Sequence, residues 1–217
     1  MKRESLFMTR IYPVFFMVVV TVVFISVVSG IYLSTKERVL LNESIFQKMA
    51  ILYAAGIDFP EGKPQEIQGI YEEKVMEVEA SAGGDSQSGA EAGDGEPAYY
   101  EVELSAGETG YVVFTSGAGL WGEIVAAFGF SRDLSTLTGI EFVEQNETPG
   151  LGARITETWF KEQFRGKQGP FVLVEEGTAD DANELDAITG ATRTSNAVLK
   201  IANEVFEVAE EKIGGGR

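Results

Sequence analysis

The run Thr189-Gly190-Ala191-Thr192 closes a segment that opens at Asp186 and leads straight into an apolar periodicity. A threonine hydroxyl attacks a phosphoanhydride when a modifying enzyme activates it, and Gly190 and Ala191 leave the backbone beside Thr192 unobstructed. Thr194, Ser195 and Asn196 are N-cap residue types. Val198, Leu199, Ile201, Ala202, Val205, Phe206 and Ala209 then recur at helical spacing, so a helix is expected to begin close to Thr192 and to run over 194–213. A phosphate on Thr192 would therefore lie at a helix N-terminus, where unpaired N–H groups and the macrodipole favour an anion. A turn and cap serving only the helix accounts for the same letters.

A second segment, Asn146-Glu147-Thr148-Pro149-Gly150-Leu151-Gly152-Ala153, reads as a rigid turn. Pro149 fixes its own φ and keeps Thr148 extended, while Gly150 and Gly152 permit left-handed or crowded backbone on either side of Leu151. Such a loop can press N–H groups against a flat ring, with Leu151 covering it and the Thr148 hydroxyl as a donor. Glu147 is a loop carboxylate, and such groups are usually solvated. Trp121, among the glycines of Gly117-Ala118-Gly119-Leu120-Trp121-Gly122, either stacks on a planar ligand or fills the core, and core packing is the commoner outcome. Exposure in water is the default for the cations Arg154, Lys167 and Arg193, any of which could otherwise approach a bound phosphate.

The pair of Glu147–Gly152 and Thr189–Thr192 resembles the signature of the FMN-binding domain in the C-type subunit of the sodium-translocating NADH:quinone reductase (Nqr) and in the G-type subunit of the related Rnf complex. Gly117–Gly122, Trp159-Phe160 and Phe164–Lys167 fit the same family, so the resemblance spans about residues 110–205. Some Rnf-type members carry a histidine where this chain has Gln145, which leans toward the quinone-reductase subtype. The resemblance implies FMN joined covalently to Thr192 through a phosphoester. It makes Asp186, Thr189, Gly190 and Ala191 part of the motif read by a flavin transferase. It also places Glu147, Thr148, Gly150, Leu151, Gly152 and Trp121 beside the flavin. The expected function is electron transfer within a membrane NADH:quinone oxidoreductase that moves sodium, alongside other subunits of a respiratory complex. The alternatives are the Rnf subunit, in ferredoxin:NAD electron transfer, and an anchored scaffold that never takes up flavin.

Composition narrows the chemistry independently. With no cysteine and no histidine, the chain offers no thiolate for an iron–sulfur cluster, no imidazole for haem or zinc, and no Ser-His-Asp triad. Any redox role needs an organic cofactor. A formal charge of −17, from 17 basic and 34 acidic residues, repels nucleic acid. No G-x-G-x-x-G follows a strand near an acidic ribose partner, so nothing signals a dinucleotide fold.

Residues 11–33 carry no charge and are long enough, as a helix, to cross a hydrocarbon core of roughly 30 Å in membrane lipid. Lys2, Arg3 and Arg10 precede this span against Glu4 alone. Lys36, Arg38 and Lys48 follow it mixed with Glu37 and Glu43, so the charge bias predicts a cytoplasmic N-terminus (1–10) and an exported domain on the outer side of the cell membrane. The rival is a cleaved signal peptide ending near Val28-Ser29-Gly30, but its apolar core exceeds the roughly 7–15 residues of such signals.

Beyond the span, residues 34–79 read as a juxtamembrane helix over 42–55 and a strand over 70–79. Residues 80–97, all Gly, Ser, Ala, Gln, Pro and acid, read as a flexible insertion, and 98–217 as the FMN-binding domain. Strands are expected at 99–104, 110–115, 123–130, 138–144 and 171–175, with a short helix over 156–164. The fold class is α+β, a twisted, largely antiparallel sheet with packed helices behind one N-terminal transmembrane helix.

Overall fold

The computed structural model describes residues 12–60, 62–79, 98–104 and 107–214; the basic N-terminus and the 80–97 segment lie outside them. The chain divides into two units, Met1–Ser44 and Ile45–Arg217. The first is helical throughout its described part, belonging to helix α1 (Tyr12–Ala54). Within it Tyr12–Lys36 is long and apolar enough to cross a membrane, and none of it is buried in protein. Thr21 and Ser26 return their hydroxyls to the carbonyls of Met17 and Val22, so these two polar side chains carry their own hydrogen-bond partners.

The second unit is built on a five-stranded antiparallel meander, β1 (Val75–Val78), β2 (Tyr99–Glu103), β3 (Thr109–Ala118), β4 (Glu123–Phe130) and β5 (Leu137–Glu144), in that spatial order. The expected α+β architecture is therefore observed. Period-two alternation splits the strands between two cores. Tyr111 and Val113 of β3, with Ile124, Ala126, Phe128 and Phe130 of β4, face one layer. That layer contains Phe160, Phe164, Ile188 and the apolar stripe of α4 (Thr192–Ala209). Val102, Val112 and Ala127 face the other, formed by Ala50–Ala55 of α1 and its exit, with Ile67 and Tyr71 of α2 (Pro64–Lys74). Phe128, Phe130, Phe160 and Phe164 are fully buried, each contributing about 1.5–3 kcal/mol.

Two glycines allow the layers to approach. A Cβ at Gly117 on β3 would lie 2.6 Å from Ile201 of α4. At Gly129 on β4 it would strike the carbonyl of Ala54, whose oxygen accepts the Thr138 hydroxyl at 2.7 Å.

The local expectations need four corrections. Residues 70–74 end helix α2, and only Val75–Val78 form a strand; Pro64 at the start of α2 and Ile67 and Tyr71 on its buried face favour the helix. The 156–164 helix begins as a 3₁₀ turn (Gly152–Thr156) followed by α3 (Thr158–Glu162). The closing helix ends at Ala209 and widens to a π turn over Glu210–Gly214. The expected strand at 171–175 shortens to β6 (Val172–Val174) and pairs in parallel with β7 (Glu184–Asp186), a strand too short to leave a periodic signal.

Candidate functional site

Three segments distant in sequence meet around one carboxylate. Glu147, expected in solvent, is only 5 % exposed. Its Oε1 accepts the N–H groups of Leu120 at 2.7 Å and Trp121 at 3.1 Å, and its Oε2 accepts the Thr194 hydroxyl at 2.5 Å. The solvated reading is therefore corrected: the buried carboxylate accepts the backbone donors of the 119–122 turn and the buried Thr194 hydroxyl on the first turn of α4. Its own N–H donates to Gln145 Oε1 at 2.8 Å, so Gln145 has a local role in shaping the turn.

Thr192 is the first residue of α4 and is exposed. The N-cap is Ala191, with no side-chain hydrogen bond to the helix. Thr194, Ser195 and Asn196 thus lie inside the first turn and do not cap it, a correction to the expected helix start. They are used elsewhere: Ser195 Oγ accepts the Ile188 N–H at 3.0 Å and donates to the Ala191 carbonyl at 3.2 Å, and Asn196 donates to the Thr192 carbonyl at 2.8 Å. The first N–H groups of a helix have no intrahelical acceptor, so this end is open to an anion.

The turn before Thr192 is pinned from outside. Gly190 sits at φ +79 and is braced on one side by Leu151 Cδ2, 3.2 Å from where a Cβ would stand. The Thr189 N–H donates to Glu176 Oε2 at 2.7 Å, and Arg154 binds the other oxygen of Glu176 at 3.0 Å. The Arg154 hydrogen bond, followed by the Thr189 N–H, holds Glu176 down at about 2. Asp186 is likewise engaged, its Oδ1 accepting the N–H groups of Thr178 and Ala179, both at 2.9 Å.

In the 148–153 loop, the Thr148 carbonyl accepts the N–H groups of Leu151 and Ala153, both at 3.1 Å, and Gly150 takes φ +74. Gly152 is buried, and a Cβ there would stand 2.6 Å from Thr194 Oγ1 and 2.8 Å from Glu147 Oε2. Its close approach is to the chain's own side chains. Leu151 remains 44 % exposed, Leu120 39 % and Trp121 70 %. Core packing of Trp121 is thereby overturned; the carboxylate that holds its backbone leaves the indole outside. Of the three cations, Arg154 is ion-paired with Glu157 and Glu176 and lies over the Trp159 ring, and Lys167 donates to the Glu184 carbonyl. Arg193 is exposed beside Thr192.

The structure thus brings Trp121, the Glu147–Gly152 loop and the Thr189–Thr192 turn together. It adds Glu176, Arg154, Thr194 and Ser195. Only Glu176 left no signal: an exposed glutamate in a loop is indistinguishable from any other until the fold brings Arg154 and Thr189 to it. Among the described residues no group of acidic side chains is arranged to hold a metal ion.

An open helix N-terminus bearing an exposed hydroxyl, beside exposed apolar side chains on pinned turns, is suited to a ligand that joins a phosphate to a flat aromatic system. Residues 119–207 match the family model for the FMN-binding domain. It is 42% identical over 102 residues to the G-type subunit of the Na(+)-translocating ferredoxin:NAD(+) oxidoreductase complex of Acetobacterium woodii, an alignment covering 46% of this chain and 48% of that one. It is 34% identical over 124 residues to the G-type subunit of the ion-translocating oxidoreductase complex of Methanosarcina acetivorans, covering 56% and 64%. With the C-type subunit of the Na(+)-translocating NADH-quinone reductase of Vibrio anguillarum it shares 37% identity over 95 residues, covering 40% and 37%. The chain therefore spans roughly a third to two thirds of the length of these curated relatives. The crystal structure of the C-type subunit of the Na(+)-translocating NADH-quinone reductase from Parabacteroides distasonis superposes with a TM-score of 0.66 at 22% identity, over 82% of this chain and 96% of that one, and shares the fold.

Proposed function

We propose that this chain is a membrane-anchored flavoprotein subunit that carries FMN on Thr192 and passes electrons within an ion-translocating oxidoreductase complex. The observation that carries the reading is the exposed Thr192 hydroxyl at the first position of an uncapped helix, inside a domain matched to FMN binding. The phosphate, esterified to Thr192, is held by the first-turn N–H groups of α4. Leu151 and Trp121 offer exposed apolar surface to the ring, and Thr148, Gly150 and Gly152 set the shape of the loop beneath it. Bound flavin supplies the electron chemistry, and the protein supplies placement and burial. Asp186, Thr189, Gly190 and Ala191 form the segment that a flavin transferase reads during maturation.

Tyr12–Lys36 is the anchor in membrane lipid. The charge bias around it supports a cytoplasmic N-terminus and an FMN domain on the outer side, so a reporter fused after Arg217 is expected to behave as exported; an inside-active reporter reverses the orientation. The remaining partners are the other subunits of the complex.

For the electron path, the sodium-translocating NADH:quinone reductase is the first reading. A second, the ferredoxin:NAD complex, is favoured by coverage: the alignment takes in 48% of the G-type relative named for that complex against 37% of a C-type relative. Purified assembled complex separates them, since one reading requires NADH to reduce the flavin with quinone as acceptor and the other requires reduced ferredoxin with NAD. The carrier role itself is tested on full-length protein matured with a flavin transferase. Flavin absorbance that stays with the chain through denaturation and acid precipitation is expected, and its release into the supernatant overturns the covalent link.

A further inference from the structure

We infer that Glu147 is a positioning residue and not a ligand of the flavin: its buried carboxylate fastens the Leu120–Trp121 turn to the first turn of α4 and so fixes the ring's surroundings relative to the tether on Thr192. The inference rests on the flavin-carrier reading and goes beyond it by assigning the one buried acidic side chain of the domain's described part.

The argument is an accounting of hydrogen bonds. Glu147 receives two backbone N–H groups on Oε1 and one hydroxyl on Oε2, from residues 26, 27 and 47 positions away in the chain. A carboxylate is the side chain that accepts several donors at once without offering a competing one. The surrounding glycines are explained by it as well. A Cβ at Gly119 would stand 2.5 Å from Oε1, and one at Gly152 would stand 2.8 Å from Oε2 and 2.9 Å from the Glu147 Cβ. These two glycines make room for the carboxylate. The contact on α4 is Thr194, two residues after the tether and itself buried, so the helix turn that carries the cofactor and the turn that displays Trp121 are held by one group.

Three substitutions in the full-length chain, matured with a flavin transferase, separate positioning from general stability. Glu147→Ala removes the acceptor of two backbone N–H groups and of the buried Thr194 hydroxyl. Glu147→Gln keeps an oxygen for both N–H groups and turns its amide toward the Thr194 oxygen. Thr194→Val removes only the helix side of the bridge. The readouts are intact mass for the tether, visible circular dichroism for the flavin's surroundings, and amide exchange at Leu120 and Trp121. Glu147→Ala is expected to keep its flavin mass, to lose the visible dichroism, and to exchange both amides roughly tenfold faster or more, as loss of a hydrogen bond to a charged group implies. Glu147→Gln should recover both signals. Thr194→Val should lose the dichroism while the two amides stay protected.

Wild-type dichroism in folded Glu147→Ala or Thr194→Val overturns the proposal. So does a Glu147→Gln variant as impaired as the alanine one, which marks a requirement for the charge itself. Should Glu147→Ala fail to fold, the Thr194→Val result decides. A wild-type chain without covalent flavin defeats the carrier reading instead, and amide exchange in the flavin-free variants still tests the bridge.

Discussion

Two polar clusters in the same domain use similar residues to opposite ends. Around Tyr53, the phenol donates to Glu162 at 2.8 Å, Arg165 pairs with Glu162 at 2.8 Å and donates to the Thr138 carbonyl at 2.6 Å, and Lys161 pairs with Glu141 at 2.7 Å while lying 4.1 Å over the Tyr53 ring. Burial first, and then the Glu162 hydrogen bond, pushes the Tyr53 phenol up to about 12. Each of these groups is answered by another, and the result is a joint between the end of α1, β5 and α3. Around Thr192 the polar groups that hold the turns are equally well answered, by Glu147, Glu176 and Ser195. The outer ones are not: the helix N-terminus is uncapped, and Leu120, Trp121 and Leu151 stand exposed. A self-satisfied network fastens a fold, whereas a rigid network that stops short at its surface presents a site.

The sharpest way to break this contrast is Thr192→Val, which removes the hydroxyl at nearly constant volume. Covalent flavin should vanish completely with the melting temperature unchanged, as intact mass and thermal unfolding will report; flavin mass retained on the variant removes Thr192 from its role. Next in size is Gly152→Val, whose added carbons must displace Glu147 and Thr194. Overpacking of this kind costs about 1–3 kcal/mol, measurable by chemical denaturation, and a neutral outcome would mean that the bridge yields easily. Tyr53→Phe tests the joint. Because that network is partly solvated, the loss should be about 1 kcal/mol or less, with flavin content unaffected; a fall in flavinylation would show the two clusters to be coupled.

The smallest effect concerns pH. The folded pKa of Glu176 lies below its ordinary 4.5, so the tie from Arg154 to Thr189 is complete above about 4.5 and is lost as pH falls through about 2. An NMR titration of the Thr189 amide should show its midpoint near the lower value, and a midpoint near 4.5 would mean that the clamp does not hold in solution.

How much of this is legible in the chain depends on the range of the interaction that decides each feature. The apolar run from residue 11, the five-strand meander and the amphipathic stripe of α4 are periodic patterns, fixed by local geometry and readable directly. The Thr189–Thr192 turn and the 147–152 loop are equally visible as motifs. The start of α4 departs from expectation because residue type alone does not decide a cap: Thr194, Ser195 and Asn196 have cap chemistry, but the distant Glu147 claims the Thr194 hydroxyl, Ser195 bonds the preceding turn at Ile188 and Ala191, and Asn196 turns back onto the Thr192 carbonyl. The strand expected over 70–79 loses its first half to α2, whose buried Ile67 and Tyr71 draw residues 70–74 into the helix.

The sequence by itself determined the apolar N-terminal helix, the absence of thiol and imidazole chemistry, and the presence of a hydroxyl on a small-residue turn before a helix, since each is written in composition or short-range spacing. Only the tertiary structure decided that Glu147 is buried, that Trp121 is outside, and that Glu176 reaches Thr189. A side chain's burial and partners are set by which distant segments pack beside it, and the donors that Glu147 satisfies, 26 to 47 residues away, become its neighbours only when β3, β4 and α4 close around it.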